Sequence, residues 1–224
     1  MTINDKMIIW FECVVLAMNC NLVDELNKNS NGRVKSFYSI MPLSNIPSII
    51  KNGILSYDRA RSIDHKSIAD VNVQDRREKI LVPNNIRLHS YVNLYFTYHN
   101  PMMYKRKDEA EYLCVLAVDK SIISMDGCII TDKNASTDLV RFYRPNEGVK
   151  NLDFDMIFAE DWTDNNPYRF RFKKAVKCAE ILIPNCVPYQ YVVGAYVVNG
   201  DSETFLKSIG FDRKIVVNKK VFYR

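Results

Sequence analysis

The sequence predicts an α+β domain, and two observations carry that expectation. Candidate helices gather before Lys79, whereas most β-branched and aromatic runs follow Tyr91, so strands and helices do not alternate as in a parallel doubly wound sheet. No Gly-x-Gly-x-x-Gly stretch and no phosphate-loop motif occurs, which argues against the two common nucleotide-binding α/β architectures.

Met7 to Met18 is strongly apolar, but Glu12 interrupts it and it is too short to span a bilayer. With no small-residue cleavage site after it, it reads as an amphipathic N-terminal helix rather than a leader or anchor. Asn27 to Arg33 has no apolar residue and holds Asn31-Gly32, the mark of a polar linker or loop. Val34 to Met41 reads as a strand, and Leu43 to Asn52 as a short helix with Ser44 as N-cap and Gly53 as stop. Ala69 to Lys79 is charged and holds a turn of helix. Tyr91 to Thr97, Tyr112 to Val118, Cys128 to Thr131, Met156 to Ala159, Glu180 to Ile183, Tyr191 to Val198 and Val216 to Tyr223 have the composition of strands. Residues 1–36 are thus an N-terminal helix and linker, and 37–224 a single domain.

The composition is that of a globular protein, 47% apolar and 25% charged over 224 residues, which excludes disorder, collagen and coiled coil. The net charge of +5 is unevenly spread, with basic clusters at Lys105-Arg106-Lys107 and Arg169 to Lys177 that favour a phosphate-rich partner. Six cysteines form no Cys-x-x-Cys pair and no ligand spacing with the three histidines, so neither zinc nor a disulfide framework is expected, and the thiols suit a reducing cytoplasm. Asp153, Asp155, Glu160 and Asp161 read as solvent-facing acids along a strand, not as a metal cluster. His65 and His89 read as structural, and Trp10 and Trp162 as packing residues.

The stretch from Tyr168 to Pro188 is the most informative. Arg169-Phe170-Arg171-Phe172-Lys173-Lys174 leads into an isolated carboxylate, Glu180, at the mouth of the apolar strand Ile181-Leu182-Ile183-Pro184. As a strand, the basic run puts aromatic rings on one face and cations on the other. That pattern suits single-stranded nucleic acid, which is gripped by cations and stacked on rings. It equally suits an amphipathic edge strand with Phe170 and Phe172 in the core. Taken alone, a basic cluster is more often a solvated face and a strand-edge Glu more often surface polarity.

A second, distant set of residues changes the balance. Tyr38 to Leu55, Val73-Gln74-Asp75-Arg76-Arg77, Leu88 to Val92, Tyr95-Phe96, Asn100 to Tyr104, Cys128 to Asp132, Phe142-Tyr143, Leu152 to Asp155 and Lys177-Cys178-Ala179-Glu180, in that order, resemble the DarT family of DNA ADP-ribosyltransferases. The resemblance covers the chain from about Phe37 onward. It implies an ADP-ribosyltransferase fold, with two packed β-sheets forming an NAD cleft and helices at the N-terminus. It also implies a toxin of a toxin–antitoxin pair that uses NAD as co-substrate to modify a nucleobase in single-stranded DNA, opposed by a macrodomain antitoxin.

By the same resemblance Glu180 is the catalytic glutamate and Arg76 or Arg77 the arginine of the NAD site. Tyr38, Ser39, Asn45, Tyr95, Phe96 and Met102 belong to the cofactor cleft, and Arg169, Phe170, Arg171, Phe172, Lys173 and Lys174 to the nucleic-acid surface. The residue types suit the chemistry. A carboxylate stabilises an oxocarbenium-like ribosyl centre and takes a proton from an attacking base, while arginine supplies paired donors to a pyrophosphate. The first strand departs from the family pattern at Ser39, Met41 and Pro42, and Ser90 and His99 stand where Asp and Arg are commoner. A catalytically weakened nucleic-acid-binding relative and an RNA acceptor stay open as alternatives.

Overall fold

The computed structural model describes residues 21–223; the helix expected over Met7–Met18, with Trp10, Cys13 and Cys20, lies outside them. Among the described residues the chain forms one eight-stranded mixed sheet and a two-stranded ribbon, flanked by helices. A helix, α1, covers 21–29. The polar stretch from Asn27 is therefore not all linker: its first residues end α1, and only Asn31 (φ 51°) and Gly32 (φ 67°) make the expected turn. Leu26 and Val34 are fully buried in the main core, so this N-terminal portion is packed with the rest of the chain.

Strand β1 (Phe37–Pro42) is followed by a 3-10 turn at Leu43–Asn45 and helix α2 (Ile46–Asn52). The start expected at Ser44 is displaced: Asn45 holds the cap position, and neither turn nor helix has a side-chain cap. Then come β2 (Ile54–Leu55), α3 (Tyr57–Ala60), α4 (Val71–Glu78), β3 (Tyr91–Tyr95), α5 (Pro101–Lys105), β4 (Leu113–Val118), β5 (Ile129–Thr131) and β6 (Phe142–Tyr143). The second half adds α6 (Pro145–Asn151), α7 (Phe154–Phe158), α8 (Pro167–Val176), β7 (Glu180–Pro184), β8 (Cys186–Val187), β9 (Val192–Val197), α9 (Gly200–Ser208) and β10 (Lys214–Val217). The main sheet has the order β10-β9-β4-β1-β3-β7-β5-β6, and β2 pairs with β8.

Two expected strands are different structures. Met156 to Ala159 lies within and just after helix α7, because Asp153 accepts from the Met156 N–H at 2.8 Å and starts a helix where the acids had been read as lining a strand. Val216 to Tyr223 divides: β10 ends at Val217, and Asn218 caps a 3-10 turn over Lys219–Val221.

The two packed sheets expected from the resemblance are one continuous sheet, yet it is nearly cut in two. β1 pairs with β4 along its whole length, from Phe37↔Val118 to Pro42↔Leu113, but meets β3 at the single pair Tyr38↔Tyr95. Beyond that pair the β1 edge at Ser39–Pro42 and the β3 edge at Tyr91–Asn93 separate, and both line a cleft. Central β4, Leu-Cys-Val-Leu-Ala-Val, is buried on both faces, as befits a continuous apolar run covered from two sides. On one face Phe37 meets Phe96 edge-on (5.4 Å) and Phe96 meets Phe154 (5.9 Å); on the other Tyr38, Ile40, Tyr95 and Val115 form a second cluster.

Gly53 fixes the turn that returns α2 to the sheet. Its φ of 74° with ψ of −175° is glycine backbone, and a Cβ there would stand 2.4 Å from the Val187 carbonyl oxygen. Gly53→Ala is expected to lower the unfolding free energy by about 1–3 kcal/mol, measured by denaturant unfolding; an unchanged midpoint would show that the turn tolerates a side chain.

Candidate active site

The sheet's narrow waist carries the chemistry. Tyr38 pairs with Tyr95, Tyr95 with Glu180 and Glu180 with Thr131, so one row of residues crosses four strands where β1 and β3 begin to part. Glu180 opens β7 in that row and is 0% exposed. Helix α4 brings the counter-charge. Asp70 caps it by accepting from the Val73 N–H at 3.2 Å, and Lys105 pairs with the same carboxylate. In its last turn Arg77, 5% exposed, donates from Nη1 to both Glu180 oxygens at 3.0 Å.

The Ala135 N–H adds a third donor to Oε1 at 3.2 Å. Glu180 donates its own N–H to Thr131 Oγ1 at 3.2 Å, and Thr131 donates onward to the Lys133 carbonyl at 2.7 Å. Burial pushes the Glu180 carboxyl above its ordinary pKa, while the Arg77 guanidinium and the Ala135 amide pull it back. The Tyr95 hydroxyl is held well above its usual value by burial and then by the Glu180 charge, so it stays protonated. A second contact fixes α4: His89, stacked on Tyr57 at 4.1 Å, shares a 3.0 Å hydrogen bond with Gln74, one turn before Arg77. Burial first, and then Arg77, lowers the His89 pKa and keeps the ring neutral.

The cleft beside this pair has a volume of about 2040 Å³, well beyond the several hundred Å³ of an ordinary small-molecule pocket. Ser39, Asn45, Arg76, Arg77, Tyr95 and Met102 line it. Tyr38 and Phe96 do not. The Tyr38 ring shares a sheet face with Tyr95 but packs against Tyr98 (5.0 Å) and Tyr196, and Phe96 lies in the core between Phe37 and Phe154. Asn45 is also a structural tie, since its side chain donates to and accepts from the Lys66 backbone at 2.9 Å. Ser90 donates to the Asp58 carboxylate at 2.9 Å, so the commoner aspartate there would set two carboxylates together.

The basic run is not a strand. It is α8, started by Asn166, whose side chain accepts from the Tyr168 and Arg169 N–H groups, with Pro167 in the first turn. Asn-Pro at this point was the signal for a helix start. A helix sets Tyr168 and Phe172 on one face, both exposed, and neither phenylalanine of the run is fully buried. Phe170, Arg171, Phe172 and Lys174 line the cleft. Arg169 is exposed away from it, and Lys173 is engaged by Asp164 at 2.8 Å.

Three contributors have no role assigned from the sequence: Thr131 and Lys177, which lie within the quoted motifs, and Ala135. Asn134-Ala-Ser136 offered one clue, because the Asn134 side chain accepts from the Ser136 N–H at 3.0 Å in the turn that presents Ala135. Lys177 gave none. It is buried, its pKa pushed down to about 8 chiefly by desolvation, and its Nζ donates to the carbonyls of Ile157 and Ala159 at the end of α7. Trp162 packs edge-on against Tyr104 (6.0 Å) and Tyr223 (5.6 Å) while also lining the cleft. Cys114, Cys128, Cys178 and Cys186 are free thiols, and no group of three or more His, Cys, Asp or Glu among the described residues is arranged to hold a metal.

The family model described as "ssDNA thymidine ADP-ribosyltransferase, DarT" matches residues 38–223. The chain belongs to the DarT family. A DNA ADP-ribosyl transferase–DNA ADP-ribosyl glycohydrolase fusion protein of Thermosipho africanus (strain H17ap60334) is 32% identical over 197 residues, covering 83% of this chain and 48% of the relative, so the chain spans about half the length of that protein. A DNA ADP-ribosyl transferase of Thermus sp. (strain 2.9) is 28% identical over 166 residues, 69% of this chain and 77% of the relative.

Among solved structures, Thermosipho africanus DarTG in complex with ADP-ribose superposes with a TM-score of 0.74 at 28% identity, over 84% of this chain and 51% of that one. Thermus sp. 2.9 DarT in complex with ADP-ribosylated ssDNA gives 0.72 at 23% identity, over 85% and 97%. The split sheet described above is the DarT ADP-ribosyltransferase fold, of α+β class.

The ion pair makes a stability prediction. Arg77→Met or Glu180→Leu strands one buried charge and should each cost about 3–5 kcal/mol, whereas the two combined should recover most of the loss in a denaturant-unfolding double-mutant cycle. Additive losses would mean that the two side chains act independently.

Proposed function

We propose that this DarT-family chain transfers the ADP-ribosyl group of NAD to thymidine in single-stranded DNA. The observation that carries the proposal is the buried Glu180 carboxylate, held by Arg77 and the Ala135 amide at the point where the sheet opens into the cleft. Family membership supports the acceptor, because the family is described by its activity on thymidine in single-stranded DNA.

The residues divide the work. Exposed Arg76, on the same helix as Arg77, offers paired donors to the NAD pyrophosphate. The β1 edge at Ser39–Pro42, without a strand partner on the β3 side, presents backbone groups to the nicotinamide carboxamide. Asn45, Tyr95 and Met102 shape the same wall. Arg77 is the positioning residue: its Nη1 keeps both Glu180 oxygens aimed and ionised. Glu180 is the catalytic residue. Its charge stabilises the ribosyl centre as the glycosidic C–N bond breaks and neutral nicotinamide leaves.

In thymidine, whose N1 carries the sugar, the base has a single N–H, at N3, so a new bond from ribose to that nitrogen must release one proton. Glu180, its proton affinity raised by burial, accepts it. Phe170, Arg171, Phe172 and Lys174 line the cleft on the acceptor side, with rings for stacking and cations for phosphate. Arg169 and Lys173 extend the positive surface of the same helix. The domain that performs this work extends over 37–224, with 21–36 packed against it.

The Thermosipho relative joins a glycohydrolase to its transferase on one chain, and this supports a toxin whose partner is a macrodomain antitoxin that removes the mark. Its place of action is the cytoplasm, where its substrates are. No helix among the described residues is long and apolar enough to cross a membrane.

Intact-mass analysis of thymidine-containing DNA and RNA oligonucleotides incubated with NAD should show one ADP-ribose adduct on DNA only, lost in Glu180→Gln. An adduct on RNA, or one that survives the substitution, would overturn the proposal. The same assay across pH tests the base. Since the carboxylate is the active form and burial raises its pKa, turnover should fall as pH drops through a value above the ordinary glutamate range, and Arg77→Gln should move that limb higher still.

A further inference from the structure

The loop from Asp132 to Arg141, between β5 and β6, carries an unexplained leucine. Leu139 is 90% exposed, and its φ of 57° lies in the left-handed region. The other non-glycine residues at positive φ among those described are Asn31, Asn85 and Asn185, a type that tolerates the conformation. A leucine there incurs backbone strain and leaves nearly all of an apolar side chain in water.

Nor is the loop a loose tip. Asp132 and Arg141 close its base through two backbone contacts, one of them Arg141 N–H to Asp132 Oδ1 at 2.9 Å. The Asn134 N–H docks it on the Ala175 carbonyl of α8, and the next amide is the Ala135 donor to Glu180. Lys133 binds Asp132 at 2.7 Å and the Leu139 carbonyl at 3.3 Å, and its ammonium lies 5.5 Å from the centre of the Phe172 ring. Leu139, through its carbonyl, and the half-exposed Phe172, through its ring, thus both meet the Lys133 ammonium that Asp132 holds, and all three line the cleft, as do Arg141, Arg171 and Lys174.

We propose that Leu139 is a wedge that enters the base stack of single-stranded DNA beside the target thymidine, with Phe172 as the opposing stacking face and the exposed Arg171 and Lys174 for the phosphate. This rests on the proposed function and adds to it a residue that determines how the acceptor is held. A base must leave its neighbours before N3 can reach a buried carboxylate's vicinity, and apolar side chains inserted between base steps are a general means of unstacking. The surrounding cations match a polyanion and not an apolar protein surface.

The test uses substitutions that suit a left-handed backbone. Leu139→Asn and Leu139→Gly keep the loop and remove the wedge, and Leu139→Met keeps an apolar side chain. With 2-aminopurine placed next to thymidine in a short oligonucleotide, the wild-type chain and Leu139→Met should raise the fluorescence on binding, and the Asn and Gly variants should not. In turnover, Asn and Gly should raise the KM for the oligonucleotide roughly tenfold or more, with the KM for NAD unchanged and a Tm at or above wild type.

Unchanged fluorescence and oligonucleotide KM in both variants would overturn the wedge, as would failure of the wild-type chain to bind the oligonucleotide. Binding with the Leu139-dependent fluorescence rise but without any adduct would instead overturn the proposed function while sustaining the wedge. An effect of Leu139→Asn only on capture of a macrodomain protein would assign the residue to a protein contact and also overturn it.

Discussion

A glutamate with no exposed surface must find its charge a partner inside the protein, and that requirement organises this molecule. The penalty for taking a carboxylate out of water is several kcal/mol even after relaxation. Here it is offset by a guanidinium on both oxygens and by one backbone amide. Each donor comes from a different part of the chain, so α4, β7 and the β5–β6 loop must converge on one point for the fold to be stable at all. The secondary contacts follow from the same demand: His89 grips Gln74 to seat α4, and Thr131 holds the Glu180 amide to seat the strand. A site with these properties is pre-organised because the alternative is an unpaired buried charge.

The sheet supplies the opening. A continuous β1–β3 ladder would close the space that the substrate needs, whereas a full separation would leave two sheets free to shift against each other. One pair, Tyr38↔Tyr95, is the compromise, and Glu180 lies next to it in register. Separating the two edges beyond that pair leaves backbone groups available to a ligand amide at a depth where water access is limited. Gly53 and Asn45 then brace one wall, through a tight turn against Val187 and a two-way bond to Lys66.

The acceptor side is built on the same support. Helix α8 docks the β5–β6 loop through Ala175, and that loop reaches Glu180 through Ala135, so the surface that would hold the acceptor is linked to the carboxylate by two consecutive residues, Asn134 and Ala135. Lys177 ties the base of α8 to the end of α7, fixing the segment that carries Trp162 into the cleft. A disturbance on the acceptor side has a short path to the Glu180 carboxylate, through two hydrogen bonds and one peptide link.

Much of the fold was legible in the chain itself. Alternating and continuous apolar runs located most of β1, β3, β4, β5, β7 and β9, because strand burial depends on local pattern, and Gly53 marked its turn because no other residue suits that backbone. Glu180 stood out as a lone carboxylate before a buried strand, and Arg77 entered through an ordered set of motifs. Sequence did not separate Arg77 from Arg76, since two adjacent helical residues differ only in which way the helix is rotated against the sheet. It read α8 and α7 as strands, because alternation over a few residues suits both periods and the deciding caps, Asn166 and Asp153, act through hydrogen bonds at the helix start. It assigned Tyr38 and Phe96 to the cleft, although neighbouring rings cover each: Tyr98 and Tyr196 the one, Phe37 and Phe154 the other. The sequence alone determined which residues carry charge and which must be buried; only the tertiary structure decided which charge meets which, because the separation of 103 positions from Arg77 to Glu180 is closed by packing and not by any local rule.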